Sequence, residues 1–231
     1  MKRFWTLAEL KHGEQGWTIE LDGKPLRTPA RKPLELPAEP LAAAILAEWA
    51  GAGEEIDPRA MPLTGLANAA IDHVAPDPPA FAGTLAKYAE ADLLCYRAEG
   101  PRALVDRQAQ AWDPLLAWAR RRFGVDFTVT SGLVHVAQPP ATVERLAHEV
   151  RKLGPFQLAG LAPVVTIGGS LVAALALLDG VFGAEASWDA VSLDERWQIE
   201  QWGDDAEAVA ALANRRSDFL AAARFLEMLG G

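Results

Sequence analysis

The sequence predicts an α+β protein, with a small β-rich amino-terminal domain over residues 1–38 and a larger, mainly helical domain over residues 39–231. Apolar residues alternate with polar ones in the first part, which is the period of a strand. From residue 38 onward they follow the helical period of 3.6. Half of the 231 residues are hydrophobic, which is enough for a core that forms without disulfides or metals.

The amino-terminal part contains a predicted hairpin. Trp17, Ile19 and Leu21 alternate with polar residues, and Asp22-Gly23 follows as a strong two-residue turn signal. The segment "KPLELP" predicts another short strand. Proline at positions 25, 29, 33 and 37 keeps these strands short or at a sheet edge.

Helices account for most of the remaining chain. Asp57 is a predicted cap with Pro58 at a first helical position, and Asp113-Pro114 marks either a kink or a fresh helix start. The segment "VDFTVTSGLVHVAQP" is strand-like and predicts a short β-hairpin near 125–137. The other helices are expected near 39–51, 79–94, 102 onward, 140–153, 157–166, 170–181, 188–202 and from 204 to the end.

An uncharged run from Pro155 to Leu178 is long enough to cross a bilayer. It is interrupted by Gly168-Gly169, and Ser170 is a typical residue to cap a new helix. The interruption favours two short buried helices, and no stable membrane insertion is expected.

The charge and the cysteine content exclude several kinds of partner and site. A net charge of −9 argues against nucleic acid as a partner, because phosphate binding needs a basic surface. The single cysteine, Cys95, excludes an internal disulfide and is expected to be a small buried residue. The amino terminus lacks the features of a signal peptide or a transit peptide, so a mature chain is expected.

The sequence contains no phosphate-binding loop, no nucleophile elbow and no zinc-protease helix, and its four histidines are scattered. The segment "DERWQIEQWGDDAE", residues 194–207, nevertheless carries six carboxylates. Asp194 and Glu195 are interpreted as helix-start charges, and Asp204 with Glu207 as a capping pair. The alternative hypothesis is a metal-dependent or acid/base enzyme that uses Glu195, Glu200, Asp204 and Asp205.

Glu200 has no such structural explanation. On a helix over 193–202 it shares a face with Leu193 and Trp197, whereas Ile199 and Trp202 lie on the other side. Arg196, one turn earlier, could pair with Glu200. A helix with two apolar sides either buries both or offers one of them to a partner protein.

Five stretches in order resemble the assembly chaperone of the F-type ATP synthase catalytic sector that binds the α subunit. They are "LDGKPLRTPARKPLELP", "EWAGAGEEIDPRAMPLTGLANAAID", "YAEADLLCYRAE", "RQAQAWDPLLAW" and "DERWQIEQWGDDAEA". The chain departs from the family pattern at Ala52, Gly65, Ala69 and Ala91, which affects local contacts. No charged residue of the last motif is lost.

The resemblance implies a molecular chaperone without catalysis, cofactor or metal. Such a chaperone would bind the free α subunit and shield its subunit interface until the β subunit replaces it. The resemblance also implies a monomer in the cytoplasm of a bacterium. Its implied partner-binding residues are Glu200 as first choice, Glu195 and Asp205 as alternatives, and Trp197, Trp202 and Trp49.

Overall fold

The computed structural model describes residues 2–14, 16–132, 134–203 and 205–230. Three strands come first: β1 (Ala8–Gly13), β2 (Gly16–Leu21) and β3 (Lys24–Pro25). Two short strands follow later, β4 (Tyr96–Arg97) and β5 (Thr130–Ser131). The α-helices of the described residues are α1 (Glu39–Ala50), α2 (Pro62–Ala69), α3 (Pro78–Ala86), α4 (Arg102–Phe123), α5 (Pro140–Arg151), α6 (Pro155–Gly168), α7 (Leu171–Leu178), α8 (Ala184–Val191), α9 (Leu193–Trp202) and α10 (Ala206–Met228). The predicted α+β class is confirmed.

The first three strands form an antiparallel sheet in the order β1-β2-β3. The turn between β2 and β3 is the predicted Asp22-Gly23 pair, and both residues have positive φ, 49° and 74°. Two consecutive positive φ angles match the right-handed twist of the flanking strands, which is why this dipeptide makes the turn. The "KPLELP" segment contributes only isolated bridges, Arg27 to Pro33 and Trp17 to Leu36.

Two clusters of buried apolar residues form the core. The smaller one begins with Ile19 of β2 and with Leu36, which bridges to β2, and continues through Leu41 and Ile45 of α1 to Ala67 of α2. The division at residue 38 is therefore a change of secondary structure, and the amino-terminal core continues past it. The larger cluster lies among helices α3 to α10 and includes Cys95, which is fully buried as expected.

The hairpin expected near 125–137 is wrong for the residues that the structure describes there, which exclude Leu133. β5 pairs with β4 in parallel, with Thr130 opposite Tyr96. The segment is held instead by the side chain of Gln138, which lies just before α5. The Gln138 amide accepts from the Thr128 N–H at 3.0 Å and donates to the Thr128 carbonyl at 2.9 Å.

Several helix boundaries differ from expectation. α4 runs without a break through Asp113-Pro114, so this pair does not start a new helix. The predicted 79–94 helix ends at Ala86, followed by short 3₁₀ turns. The predicted 188–202 helix is two helices, α8 and α9, separated at Ser192, whose hydroxyl donates to the Trp188 carbonyl at 2.7 Å.

The uncharged run folds as the two predicted buried helices, α6 and α7. Gly169 adopts a left-handed conformation (φ 65°), and the Ser170 hydroxyl caps α7 by accepting from the Ala173 N–H at 3.0 Å. The fully buried Asp92 carboxylate adds to this cap, accepting from the Val172 N–H at 2.9 Å. Burial raises the pKa of Asp92 to about 6. No helix of the described residues is both long enough and apolar enough to span a membrane.

Candidate functional site

Helix α9 carries most of the predicted site residues, and few of its own residues are buried. Only Leu193 and Trp197 of its ten residues are buried. Arg107 of α4 attaches the helix to the protein: its guanidinium lies 4.6 Å from the centroid of the Trp197 ring, and its Nη1 is 2.6 Å from Glu200 Oε2. Polar contacts to α4, α8 and α10 hold the helix in place, and its residues 198 and 200–202 are exposed.

The two tryptophans of α9 have different environments. Trp197 is 9% exposed, and Trp202 at the end of the helix is 80% exposed. The sequence had placed Trp202 on the opposite side from Trp197. The structure corrects this, because both residues line the same cleft.

Glu200 pairs with Arg107 and not with Arg196, the partner that helical spacing allowed. Arg196 turns instead to Asp189, with its Nη1 2.8 Å from the Asp189 carboxylate. An arginine one turn before a glutamate is the weaker orientation of this pair on a helix, so a tertiary partner prevails. The Glu200 side chain is half exposed.

The other predicted acids are also engaged, at separate places. Glu195 lies 2.7 Å from Arg215 Nη1 of α10. Asp205 caps α10 by accepting from the Glu207 N–H at 3.0 Å. The cap predicted at Asp204 lies outside the described residues. Within the described part of the chain, no three His, Cys, Asp or Glu residues come together as a metal site would require.

Trp49 is part of the amino-terminal core. It is 9% exposed, and its ring packs against Trp5 at 5.1 Å between centroids. Its indole N–H is buried without a hydrogen-bond partner among the described residues. Trp49 is not among the residues that line the cleft beside α9.

The cleft beside α9 has a volume of about 660 Å³. One wall is α9 itself, and the other is formed by the segment from β4 to the start of α4. Its lining residues are Leu93, Tyr96, Arg97, Ala98, Glu99, Gly100, Pro101, Leu104, Gln108, Gly132, Asp194, Trp197, Gln198, Gln201 and Trp202. The apolar and aromatic side chains in this set make it a surface suited to protein contact.

The polar floor of the cleft is fixed by Gln108, which is 1% exposed. Its Oε1 accepts from the Ala98 N–H at 2.8 Å, and its Nε2 donates to Asp194 Oδ1 at 2.7 Å. Next to it, Arg97 donates from Nη2 to Asp113 at 2.8 Å and from Nε to the Leu94 carbonyl at 3.0 Å. Both floor side chains are thus held by the protein itself.

Asp194 is the cleft residue that the sequence analysis missed, having interpreted it as a helix-start charge. It is half-buried, and burial raises its pKa, an effect that the Gln108 hydrogen bond partly offsets. A helical-spacing signal was available, because positions 194, 197, 198, 201 and 202 share one side of a helix. All five line the cleft.

Comparison with known proteins places the chain in a family. Residues 2–120 match the sequence profile of the family described as "ATP12 chaperone protein". The chain belongs to the ATP12 chaperone family. ATP12 chaperones serve the assembly of ATP synthase, and the resemblance noted from the sequence is confirmed.

Solved structures extend the similarity over nearly the whole chain. The crystal structure of Atp12 from Paracoccus denitrificans matches with a TM-score of 0.94 and 43% identity, covering 99% of this chain and 98% of that one. An aspartate-to-lysine mutant of the same protein matches with a TM-score of 0.93 and 42% identity, covering 99% and 97%. Mitochondrial protein atp12 of Schizosaccharomyces pombe is 26% identical over 87% of this chain and 74% of its own length.

Proposed function

We propose that this ATP12 family member binds the free α subunit of F-type ATP synthase and shields its subunit interface until the β subunit replaces it. The role in ATP synthase assembly follows from the family. A subunit that awaits its neighbour exposes apolar surface that would otherwise aggregate. Binding alone, without turnover, is sufficient for this task.

The observation that carries the proposal is the exposed Trp202 at the α9 cleft. A tryptophan that is 80% exposed is costly for an isolated soluble protein and typical of the centre of an interface. It borders an open cleft of about 660 Å³ with further aromatic residues. Such a surface can cover an apolar patch on the client and release it when the permanent partner arrives.

The residues of the site have different roles in this proposal. Trp202 is the anchor, Trp197 forms the wall behind it, and Asp194 provides the charge that faces the client. Glu200 acts mainly through Arg107, since their ion pair holds α9 against α4. The interhelical ion pair of Glu195 is consistent with a supporting role.

Two further predicted residues support the fold in this proposal. Asp205 starts α10, and Trp49 packs in the amino-terminal core. We place the activity in the bacterial cytoplasm, which is supported by the bacterial source of the Paracoccus relative.

The proposal is tested by the aggregation of isolated α subunit, followed by light scattering with increasing chaperone. We expect the wild-type protein to suppress aggregation near equimolar ratio and Trp202→Ala to suppress it poorly. Phe4→Ala is the matched control, because Phe4 is also exposed (67%) but does not line the cleft. Aggregation that proceeds unchanged with wild-type protein would refute the α subunit as client. Equal suppression by Trp202→Ala and wild type would refute the cleft as the binding site.

A further inference from the structure

The charge of the α9 cleft is not balanced by its own residues. Two lining carboxylates, Asp194 and Glu99, have no cationic group within 4.0 Å in the part of the chain that the structure describes. Among the described residues that line the cleft, the only cation is Arg97, which is already paired with Asp113. The cleft thus presents uncompensated negative charge, in contrast to the Glu195 and Glu200 carboxylates of the same helix.

Asp194 is oriented as an acceptor within the cleft. Gln108 Nε2 donates to its Oδ1, and Gln108 is itself fixed by the Ala98 N–H. No described residue donates to Oδ2 of Asp194. A carboxylate that is half-buried, positioned by a buried amide and left with a free oxygen gains most from a cationic hydrogen-bond donor.

The walls around this carboxylate are apolar and aromatic. Leu93 and Leu104 contribute aliphatic surface, and Tyr96, Trp197 and Trp202 contribute rings. A planar guanidinium stacks on aromatic faces and is weakly hydrated, whereas an ammonium group is compact and strongly hydrated. Aromatic walls beside a single oriented carboxylate therefore favour arginine over lysine.

We infer that the α9 cleft recognises an arginine side chain of the client, flanked by apolar residues, with the guanidinium donating to Asp194. The identity of the client rests on the proposed function, but the chemistry of the cleft does not. The arginine supplies the charge that the cleft lacks, and Trp202 covers its stem and the neighbouring apolar side chain. Burial raises the pKa of Asp194, and a bound cation opposes this by favouring the ionised form.

The first test uses short peptides and does not depend on the client. The acetylated and amidated tripeptide leucine-arginine-leucine is titrated against the protein, with the indole resonance of Trp202 as the readout. Its lysine and citrulline analogues are the comparison, since citrulline keeps the shape of arginine without its charge. We expect the arginine peptide to bind severalfold more tightly than the lysine peptide and about tenfold more tightly than the citrulline peptide.

Variants of the protein test whether Asp194 is the residue that recognises the arginine. Asp194→Asn should reduce the affinity for the arginine peptide about tenfold and leave the citrulline peptide unchanged. Glu185→Gln is the matched control, because Glu185 is an exposed carboxylate of α8 that pairs with Arg216 and does not line the cleft. Equal binding of arginine and citrulline peptides, or equal losses in the two variants, would overturn the inference. Equal binding of arginine and lysine peptides would overturn the choice of arginine.

A second measurement separates this inference from the proposed function. The affinity of isolated α subunit is measured for wild-type protein and for Asp194→Asn. A loss of about tenfold supports both proposals. Equal affinity of the two proteins would leave the α subunit as client and overturn the arginine cleft. Failure of the wild-type protein to bind α subunit, with the charge-dependent peptide binding intact, would overturn the client and leave the cleft inference standing.

Discussion

Two short helices of this protein, α7 and α9, differ in how deeply they are buried. In α7, seven of eight residues are buried, whereas in α9 only two of ten are. Each helix has a carboxylate near its first turn whose pKa is raised by burial, Asp92 for α7 and Asp194 for α9. Asp92 accepts N–H groups from two separate segments, while Asp194 accepts a single hydrogen bond from Gln108.

The difference teaches how to separate structural from binding residues in this fold. A buried acid with a hydrogen bond to each of its oxygens holds two segments of the chain together, and its removal leaves unsatisfied backbone groups. An acid that is half-buried, oriented and incompletely paired has capacity left for a partner. The same distinction applies to tryptophan: Trp188 of α8 is 4% exposed and packs against Phe219, whereas Trp202 is 80% exposed.

The largest expected effect contrasts these two tryptophans. Trp188→Ala should lower the free energy of unfolding by about 3–5 kcal/mol, because it leaves a cavity in the larger hydrophobic cluster. Trp202→Ala should change it by less than about 0.5 kcal/mol, because the side chain packs little in the free protein. Chemical denaturation of both variants measures this, and a loss of several kcal/mol in Trp202→Ala would remove the contrast.

The next largest effect is the difference in stability between the variants of the two carboxylates, Asp92 and Asp194. Asp92→Ala should cost about 3 kcal/mol, since it removes the acceptor for the Leu94 and Val172 N–H groups in a site without water access. Asp194→Ala should cost about 1 kcal/mol or less, because only the Gln108 amide loses a partner and the cleft admits water. Urea unfolding midpoints at constant slope test the order. A larger cost for Asp194→Ala would show that this residue holds the fold.

The pH dependence of stability provides a third comparison, between the wild type and Asp92→Asn. The ordinary pKa of 3.8 is raised to about 6 in the folded protein, so the native state binds a proton that the unfolded chain has released. The free energy of unfolding of the wild type, relative to that of the variant, should therefore fall as pH rises from about 4 to about 6, and be flat above. The total fall is on the order of 3 kcal/mol. Thermal unfolding across this pH window measures it, and a difference that rises with pH would contradict the assigned direction.

The smallest expected effect concerns Glu200. Its pair with Arg107 is half exposed, so Glu200→Gln should change stability by about 0.5 kcal/mol or less. Affinity for α subunit should fall modestly, by about threefold or less, because α9 is held less firmly. The same measurement on Arg107→Gln should give a similar small loss. A loss of a hundredfold in Glu200→Gln alone would show that Glu200 contacts the client directly.

Much of the fold could be predicted from the sequence, because local signals agree with the final packing. Asp22-Gly23 made the predicted turn, and Gly169 with Ser170 divided the uncharged run into α6 and α7. The hairpin near 125–137 could not be predicted correctly, since its strand pairs with β4 over a separation of more than thirty residues. Alternation along the sequence indicates a strand but does not name its partner.

The site was predicted less completely than the fold. The sequence indicated α9 and its tryptophans. Local spacing could offer only Arg196 as a partner for Glu200, whereas the observed partner, Arg107, is more than ninety positions away. Asp194 was attributed to the helix start, because its distinguishing contact, Gln108, is also remote in sequence. The spacing within one helix could group Asp194 with the cleft residues, but it could not show which acids pair with residues of other helices and which acid is left for a partner.

The most direct test of the central claim is oxidative footprinting of Trp202 in the complex with α subunit. Trp202 should be oxidised readily in the free protein and become protected when α subunit binds, while the exposed Phe4 outside the cleft stays reactive. The buried Trp112 serves as an internal reference that remains unreactive in both states. A stable complex in which Trp202 is oxidised as fast as in the free protein would contradict the account.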